Sequence, residues 1–133
     1  MKRIISVLLL LVLCLSLCAC GGSKYTFTDF EGTWVREKYI NPQGDEYSII
    51  VHLHADGTYV KETSSSNGEY KEIRGTWEFE KDRIHLNEEK LVVGSDPNYD
   101  ENGNALFSKS GHYLDICDTN TLKNGDLYFT REN

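Results

Sequence analysis

From Phe30 onward, apolar and polar residues alternate with a period of two, and turn residues interrupt them every eight to twelve positions. A β-strand places successive side chains on opposite faces, so this alternation indicates strands with one buried face. The short spacing between turns is typical of an antiparallel sandwich or barrel. No segment shows a convincing helical period. The pattern therefore predicts an all-β fold.

The alternation defines eight strands. By residue number they are 32–40, 47–54, 58–63, 73–80, 83–86, 90–94, 106–116 and 127–131. Eight strands can close on themselves, which removes the exposed edges that would recruit other chains. We therefore predict an antiparallel, eight-stranded, up-and-down β-barrel.

The alternation also predicts which side chains face the barrel interior. These are Trp34, Tyr47, Ile49, Val51, Trp77, Phe79 and Phe129. The register of the first strand is ambiguous, because an inward Trp34 places Arg36 and Lys38 inside as well. Either a bulge interrupts this strand, or the interior is partly basic.

The N-terminal segment differs from the rest of the chain. Lys2 and Arg3 precede an apolar run of 14 residues, Ile4 to Leu17, and the small residue Ala19 follows. These features describe a secretory signal. A transmembrane helix is the alternative, but it needs about 20 residues, and the glycines and polar residues at 21–24 suit a flexible tether better.

The sequence Leu17-Cys18-Ala19-Cys20 resembles the lipobox of bacterial lipoproteins. The resemblance implies that the Cys20 sulfur receives a diacylglycerol and that cleavage makes Cys20 the first residue. It divides the chain into a signal peptide (1–19), a lipid-anchored tether (20–29) and a barrel domain (30–133). The expected location is the extracytoplasmic face of a bacterial cell membrane, held there by the N-terminal diacylglycerol.

Charge and cysteine content narrow the function further. The formal net charge is −7, and removal of Lys2 and Arg3 makes it more negative, which disfavours binding to nucleic acid. The length after cleavage suits one compact domain. Cys117 would be the one free cysteine, so no internal disulfide is available, and we expect it to be a small buried residue rather than a reactive thiol.

Several motifs of the barrel region resemble lipocalins and their small bacterial lipocalin-like relatives. Phe30-Glu31-Gly32-Thr33-Trp34 is similar to the Gly-x-Trp start of lipocalins. The segments 53–59 and 75–86 are similar to hairpins of the bacterial relatives. In lipocalins a basic residue of the last strand stacks on the opening tryptophan, which implies that Arg131 stacks on Trp34. The second Gly-Thr-Trp, at Gly75, also permits an avidin-like or sandwich fold.

The lipocalin resemblance implies a cavity for a small, partly apolar ligand at the barrel mouth. The inward residues named above are its expected lining. Their aromatic bulk shrinks any cavity, and small barrels can be filled by their own side chains. The alternative function is therefore a surface protein–protein interaction module with a filled interior, contacting another envelope protein.

Two patterns were tested for metal binding, and neither predicts a site. His52 and His54 leave the same strand face, but it is the predicted solvent side and no third ligand is adjacent. Asn98, Asp100 and Asn102 follow the opening rhythm of a calcium loop. However, Lys109 stands where that loop needs a bidentate glutamate, so we expect an ordinary polar hairpin loop.

No arrangement of residues points to catalysis or to a cofactor. Asp115 and Asp118 flank Cys117, and their negative charge would disfavour a thiolate. Glu78 and Glu80 are expected to be solvated, as is the pair at 88–89. The sequence therefore predicts a binding protein rather than an enzyme.

Overall fold

The computed structural model of the chain describes residues 24–106 and 111–132. The predicted signal peptide and Cys20 lie outside these ranges. Within them the chain forms one turn of 3-10 helix, Phe27–Asp29, and nine β-strands. The strands are β1 (Gly32–Arg36), β2 (Tyr39–Ile40), β3 (Glu46–Leu53), β4 (Thr58–Ser65), β5 (Tyr70–Glu80), β6 (Arg83–Val93), β7 (Gly111–Asp118), β8 (Thr121–Asn124) and β9 (Leu127–Arg131). Among the described residues, no helix is long and apolar enough to cross a bilayer.

The strands form a closed, antiparallel, up-and-down β-barrel, as the sequence predicts. Strands β3 to β9 each pair with the next along the chain, and β1 pairs with both β9 and β3 to complete the circle of eight. The short β2 pairs only with β3, beyond the end of β1. One end of the barrel is covered by the N-terminal segment, and we call it the closed end. The other end, where β1 finishes and β7 begins, is the open end.

The β3–β4 hairpin follows directly from its turn sequence. Gly57 has a φ of 85°, a conformation that residues with a side chain rarely adopt. The turn sets Leu53 opposite Tyr59, and both side chains are buried. The alternation predicted for β3 is thereby confirmed, since Val51 is buried on the same face.

The β5–β6 hairpin is longer than the sequence predicts. The separate strands expected at 83–86 and 90–94 are one strand, β6, which pairs with β5 over most of its length. The prediction was wrong because the polar residues at 87–90 resemble a turn. The pairing also shifts register opposite 72/73 and 74/75 of β5, where Val92 and Glu89 of β6 have no Cα partner, and these shifts break the alternation of β6.

The segment after β6 folds back along that strand. Leu91 donates its backbone N–H to the carbonyl of Gly103 at 2.8 Å, and Lys90 forms a β-bridge with Asn104. Tyr99, carried by the same segment, packs in a small second core with Ile73 and Leu91. The segment therefore lies against the open end of the barrel.

The C-terminal strands also differ from the prediction. The strand expected at 106–116 is β7, beginning at Gly111, and residues 107–110 lie outside the described part. The sequence analysis missed β8, whose buried Leu122 pairs with Ile116 of β7 and Phe129 of β9. A strand of four residues is too short to show a clear alternation.

The closed end holds the main apolar core. Its centre is Trp34, fully buried, whose indole N–H donates to the carbonyl of Phe30 at 2.9 Å. The guanidinium of Arg131 lies over the Trp34 ring at 4.6 Å, the contact implied by the lipocalin resemblance. This contact ties the first barrel strand to the last.

The N-terminal segment packs across the closed end. The Phe27 ring stacks on Trp77 with centroids 3.8 Å apart, and Tyr25 packs edge-on against Phe30. Contacts with the barrel core therefore begin at Tyr25, within the range 20–29 that the sequence analysis assigned to the tether.

The positions of three residues answer questions raised by the sequence. Cys117 is exposed, which corrects the expectation of a buried residue, because β7 places it on the outer face next to inward-facing Ile116. Arg36 lies on the inner face with Trp34, so the barrel interior is partly basic. Lys38 lies beyond the end of β1 and pairs with Glu46 at 2.6 Å on the surface.

Candidate functional site

A cavity of about 130 Å³ lies inside the barrel, between the closed-end core and the open end. Four strands contribute its apolar lining, through Ile49, Val51, Leu86, Leu114 and Phe129. Four polar side chains stand around it, namely Arg36, Lys61, His112 and Asn124. Arg36, His112 and Asn124 come from the parts of their strands nearer the open end, and Lys61 lies at mid-strand opposite Val51. The cavity therefore combines an apolar lining with polar groups toward the open end.

The carboxylate of Glu88 organises one side of the polar rim. It forms an ion pair with Lys61 and lies 3.2 Å from Nε2 of His112. The Tyr99 hydroxyl donates to its other oxygen at 2.9 Å. The side chains of Lys61 and Glu88 are only 13% and 8% exposed, so the pair is almost removed from water. Three different strands and one loop meet at this carboxylate.

These contacts fix the charge state of Glu88. Burial acts to raise the pKa of its carboxyl group, but the hydrogen bonds and the charge of Lys61 outweigh burial and lower the pKa to about 2. Glu88 is therefore ionised at neutral pH, and the ammonium group of Lys61 compensates its charge.

Arg36 stands apart from this network. Its Nε atom is buried and has no hydrogen-bond partner among the described residues. Burial lowers the pKa of the guanidinium, against the opposing charge effects of Glu37 and Tyr39. An arginine nevertheless keeps its proton at neutral pH. The cavity thus carries a cation that no carboxylate in the described part of the chain contacts.

A second buried polar atom without a partner is the hydroxyl of Tyr59. Burial raises the pKa of this phenol, so it stays neutral. Its ring packs over Gly75 on the neighbouring strand. Tyr59 belongs to the wall of the barrel and does not line the cavity.

The structure divides the predicted ligand-binding residues between several places. Ile49, Val51 and Phe129 line the cavity. The three largest of the remaining predictions, Trp34, Trp77 and Phe79, belong to the closed-end core or pack against it. Tyr47 lies in a separate groove near the open end, with Thr63 and Lys71.

Most of the polar rim was not predicted from the sequence. Arg36 was foreseen as one of two possibilities, and Lys61 was not considered as an interior residue. The prediction that Glu88 is solvated was wrong, because its side chain is only 8% exposed. Alternation in β4 would have found Lys61, since it shares a face with buried Tyr59. Alternation in β6 also places Glu88 on the same face as buried Ile84 and Leu86, but its charge and the polar residues beside it favoured a solvated position.

The polar loop at 98–103 uses its own oxygens to hold its turns. Asp100 accepts hydrogen bonds from the backbone N–H groups of Asn102 and Asn104, at 2.9 and 2.8 Å. The Asn98 side chain donates to Asp96 at 2.9 Å. This is the hydrogen-bond pattern of an ordinary Asx-type turn.

Of the two histidines considered above, His52 of β3 has protein partners. His52 lies on the outer face, with Nδ1 3.0 Å from the Thr33 hydroxyl and Nε2 2.7 Å from Glu62. His54 is exposed. The structure does not bring His85 or His112 to this pair. His85 instead lies beside Glu78 and Glu80, with the ligand atoms of all three within 4.8 Å of one another on the outer face.

This exposed cluster has other contacts. Glu80 is 3.5 Å from Arg83, and His85 stacks on Tyr113 with centroids 4.4 Å apart. Exposed carboxylates next to a histidine are common on protein surfaces without a metal. The interior cavity is therefore the candidate site.

Comparison of the chain with protein-family models, with curated proteins and with solved structures finds no match.

Proposed function

We propose that the protein is a lipid-anchored, extracytoplasmic binding protein that holds a small, partly apolar molecule inside its β-barrel. The lipobox-like sequence ending at Cys20 supports the anchor. The interior cavity supports the binding role. The proposal includes no catalytic step.

The cavity is the observation that carries this function. Small-molecule sites in proteins are usually lined by apolar side chains, with a few polar groups that orient the ligand. This cavity has both features. The volume of about 130 Å³ is close to that of an engineered cavity of about 150 Å³ that binds benzene. The expected ligand therefore has one ring or a short acyl chain, and a long fatty acid would not fit.

The binding role can be tested with a blocked cavity. We would reconstitute the full chain in zwitterionic lipid nanodiscs and measure binding of 4-fluorobenzyl alcohol by ligand-observed fluorine NMR, with empty nanodiscs subtracted. Ile49→Trp should abolish binding, because Ile49 lines the cavity. Ile50→Trp is the matched control, since the adjacent residue faces outward.

Saturable binding in the wild type and in Ile50→Trp, with loss in Ile49→Trp, supports the proposal. A wild-type signal equal to that of empty nanodiscs contradicts it. Equal binding by the two variants also contradicts it, because the ligand would then occupy another place.

The anchor needs a separate test. In a bacterial host grown with tritiated palmitate, the chain should be labelled, and Cys20→Ser should remove the label. Cys18→Ser is the matched control and should retain it. Label that persists in Cys20→Ser would show that this cysteine is not the acylated residue.

One observation favours a protein-binding role as a second candidate. Large apolar side chains are exposed at the open end, including Ile40 at 63% and Leu106 at 54%. Exposed apolar residues that lie together often mark a contact surface. The cavity nevertheless shows that side chains do not fill the barrel completely, which favours the small ligand.

A further inference from the structure

We propose that the ligand of the cavity is a small monocarboxylate, whose carboxylate pairs with Arg36 while its apolar part rests on Val51, Leu114 and Phe129. This inference rests on the proposed function and names the chemical class of its ligand. It follows from the charges inside the barrel.

The charges around the cavity do not balance. Glu88 is the carboxylate of the rim, and its charge is already paired with Lys61, while His112 lies at hydrogen-bond distance from it. Arg36 is half-buried, and its Nε is fully buried without a hydrogen-bond partner among the described residues. A polar N–H that is removed from water costs free energy unless it is hydrogen-bonded. An anionic ligand would supply the missing partner.

The carboxylate nearest to Arg36 in sequence does not fill this role. Glu37 follows Arg36 and is exposed. Its Oε1 accepts a hydrogen bond from the backbone N–H of Tyr128 at 3.3 Å. It influences the guanidinium through its charge but makes no salt bridge to it among the described residues. The chain as a whole is acidic, so a cation facing an apolar cavity is unusual for its composition.

A carboxylate fits better than a more highly charged anion. A guanidinium presents parallel N–H groups that match the two oxygens of one carboxylate. The ionised Glu88 on the same rim would repel a dianion such as a phosphate monoester. The cavity volume limits the rest of the molecule to about one ring or a short chain.

The test compares three probes that share one ring. They are 4-fluorobenzoate, neutral 4-fluorobenzyl alcohol and the dianion 4-fluorophenyl phosphate. Binding to the full chain in zwitterionic nanodiscs is measured at pH 7.5 by fluorine NMR. We expect the benzoate to bind at least about tenfold more tightly than the alcohol, and the phosphate more weakly than the benzoate.

Variants of Arg36 assign the effect to that side chain. Arg36→Met should weaken benzoate binding at least about tenfold more than it weakens alcohol binding, because only the benzoate carries a carboxylate to pair with the guanidinium. Arg36→Lys should retain part of the preference. Arg74→Met is the control, since Arg74 is exposed and pairs with Glu72 outside the barrel. Alcohol binding by Arg36→Met also shows that this variant is folded.

The outcomes separate this inference from the proposed function. Equal wild-type binding of benzoate and alcohol overturns the carboxylate inference and leaves the binding function standing. Tighter binding of the phosphate also overturns it. A benzoate preference that survives in Arg36→Met assigns the anion to another residue and contradicts the inference. Failure of all three probes to bind overturns the proposed function itself.

Discussion

The guanidinium of Arg131 lies over the indole of Trp34, with 4.6 Å between its central carbon and the ring centroid. The same guanidinium donates to the backbone carbonyls of Asp29, Glu31 and Thr119. One side chain therefore joins the N-terminal segment, the first strand, the β7–β8 turn and the last strand. Arg131 therefore holds these segments together at the closed end.

Replacing Arg131 should destabilise the fold. Arg131→Met removes the stacked cation, worth about 0.5–2 kcal/mol, and leaves three carbonyls without this donor. We expect a loss of about 2–4 kcal/mol in the free energy of unfolding, measured by urea denaturation with tryptophan fluorescence. Arg74→Met, exposed on the outer face, should cost less than about 1 kcal/mol. Equal effects of the two variants would contradict the role given to Arg131.

The stack of Phe27 on Trp77 predicts that the N-terminal segment is part of the folded domain. Phe27→Ala removes a ring stacked at 3.8 Å and only partly buried, so the free energy of unfolding should fall by about 1–3 kcal/mol. Differential scanning calorimetry of the full chain would measure the loss. The neighbouring Thr28→Ala should change it by less than about 1 kcal/mol, since Thr28 is exposed. A neutral Phe27→Ala would mean that the segment does not contribute to stability.

Gly75 should tolerate no side chain. A methyl group there would overlap the carbonyl oxygen of Asn87 and come within 2.9 Å of the Tyr59 ring. Gly75→Ala should therefore lower the free energy of unfolding by about 1–3 kcal/mol through overpacking, and shift the thermal midpoint accordingly. Gly57→Ala is a useful comparison, because Gly57 has open space around it and only its positive φ opposes the change. A stabilised Gly75→Ala variant would rule out the close approach.

Glu88 should make stability depend on pH in the acid range. Its pKa is about 2 in the folded chain and about 4.5 when unperturbed, so the folded state favours the ionised form. The stabilisation is complete above about pH 4.5 and is lost as the pH falls through about 2. The shift corresponds to roughly 3 kcal/mol.

Urea denaturation at pH 7, 4.5, 3 and 2 would measure this dependence. Glu88→Gln should be less stable at pH 7, because Lys61 and His112 lose their partner, and it should lose less stability between pH 4.5 and 2. Glu89→Gln is the matched control, since the adjacent carboxylate is exposed. An acid profile of Glu88→Gln that parallels the wild type would contradict the assigned pKa.

The barrel could be predicted from the sequence where alternation was regular. In β3 the apolar residues Tyr47, Ile49, Val51 and Leu53 recur at every second position, and Asp56-Gly57 marks the turn into β4. Polar residues that face inward were not predicted. Glu88 belongs to a polar run in the sequence, although two other strands and a loop supply its partners.

The cavity was the part least accessible to sequence reasoning. The largest aromatic residues were expected to line it, but Trp34 and Trp77 pack at the closed end instead. Which inward residues border empty space depends on how the end of the barrel is filled, and that depends on Phe27 and Phe30 packing across it. Local patterns do not contain this information.

The position of Phe27 beneath Trp77 has a consequence for how the protein would stand on a membrane. The described chain begins at Lys24, at the closed end, only four residues after Cys20. Four extended residues span at most about 14 Å. A diacylglycerol on Cys20 would therefore hold the closed end of the barrel against the lipid headgroups. The open end would then face the aqueous side. Solutes would then reach Arg36 by diffusion from the aqueous side. The acyl chains of the membrane would face the closed end and would have no direct route into the cavity.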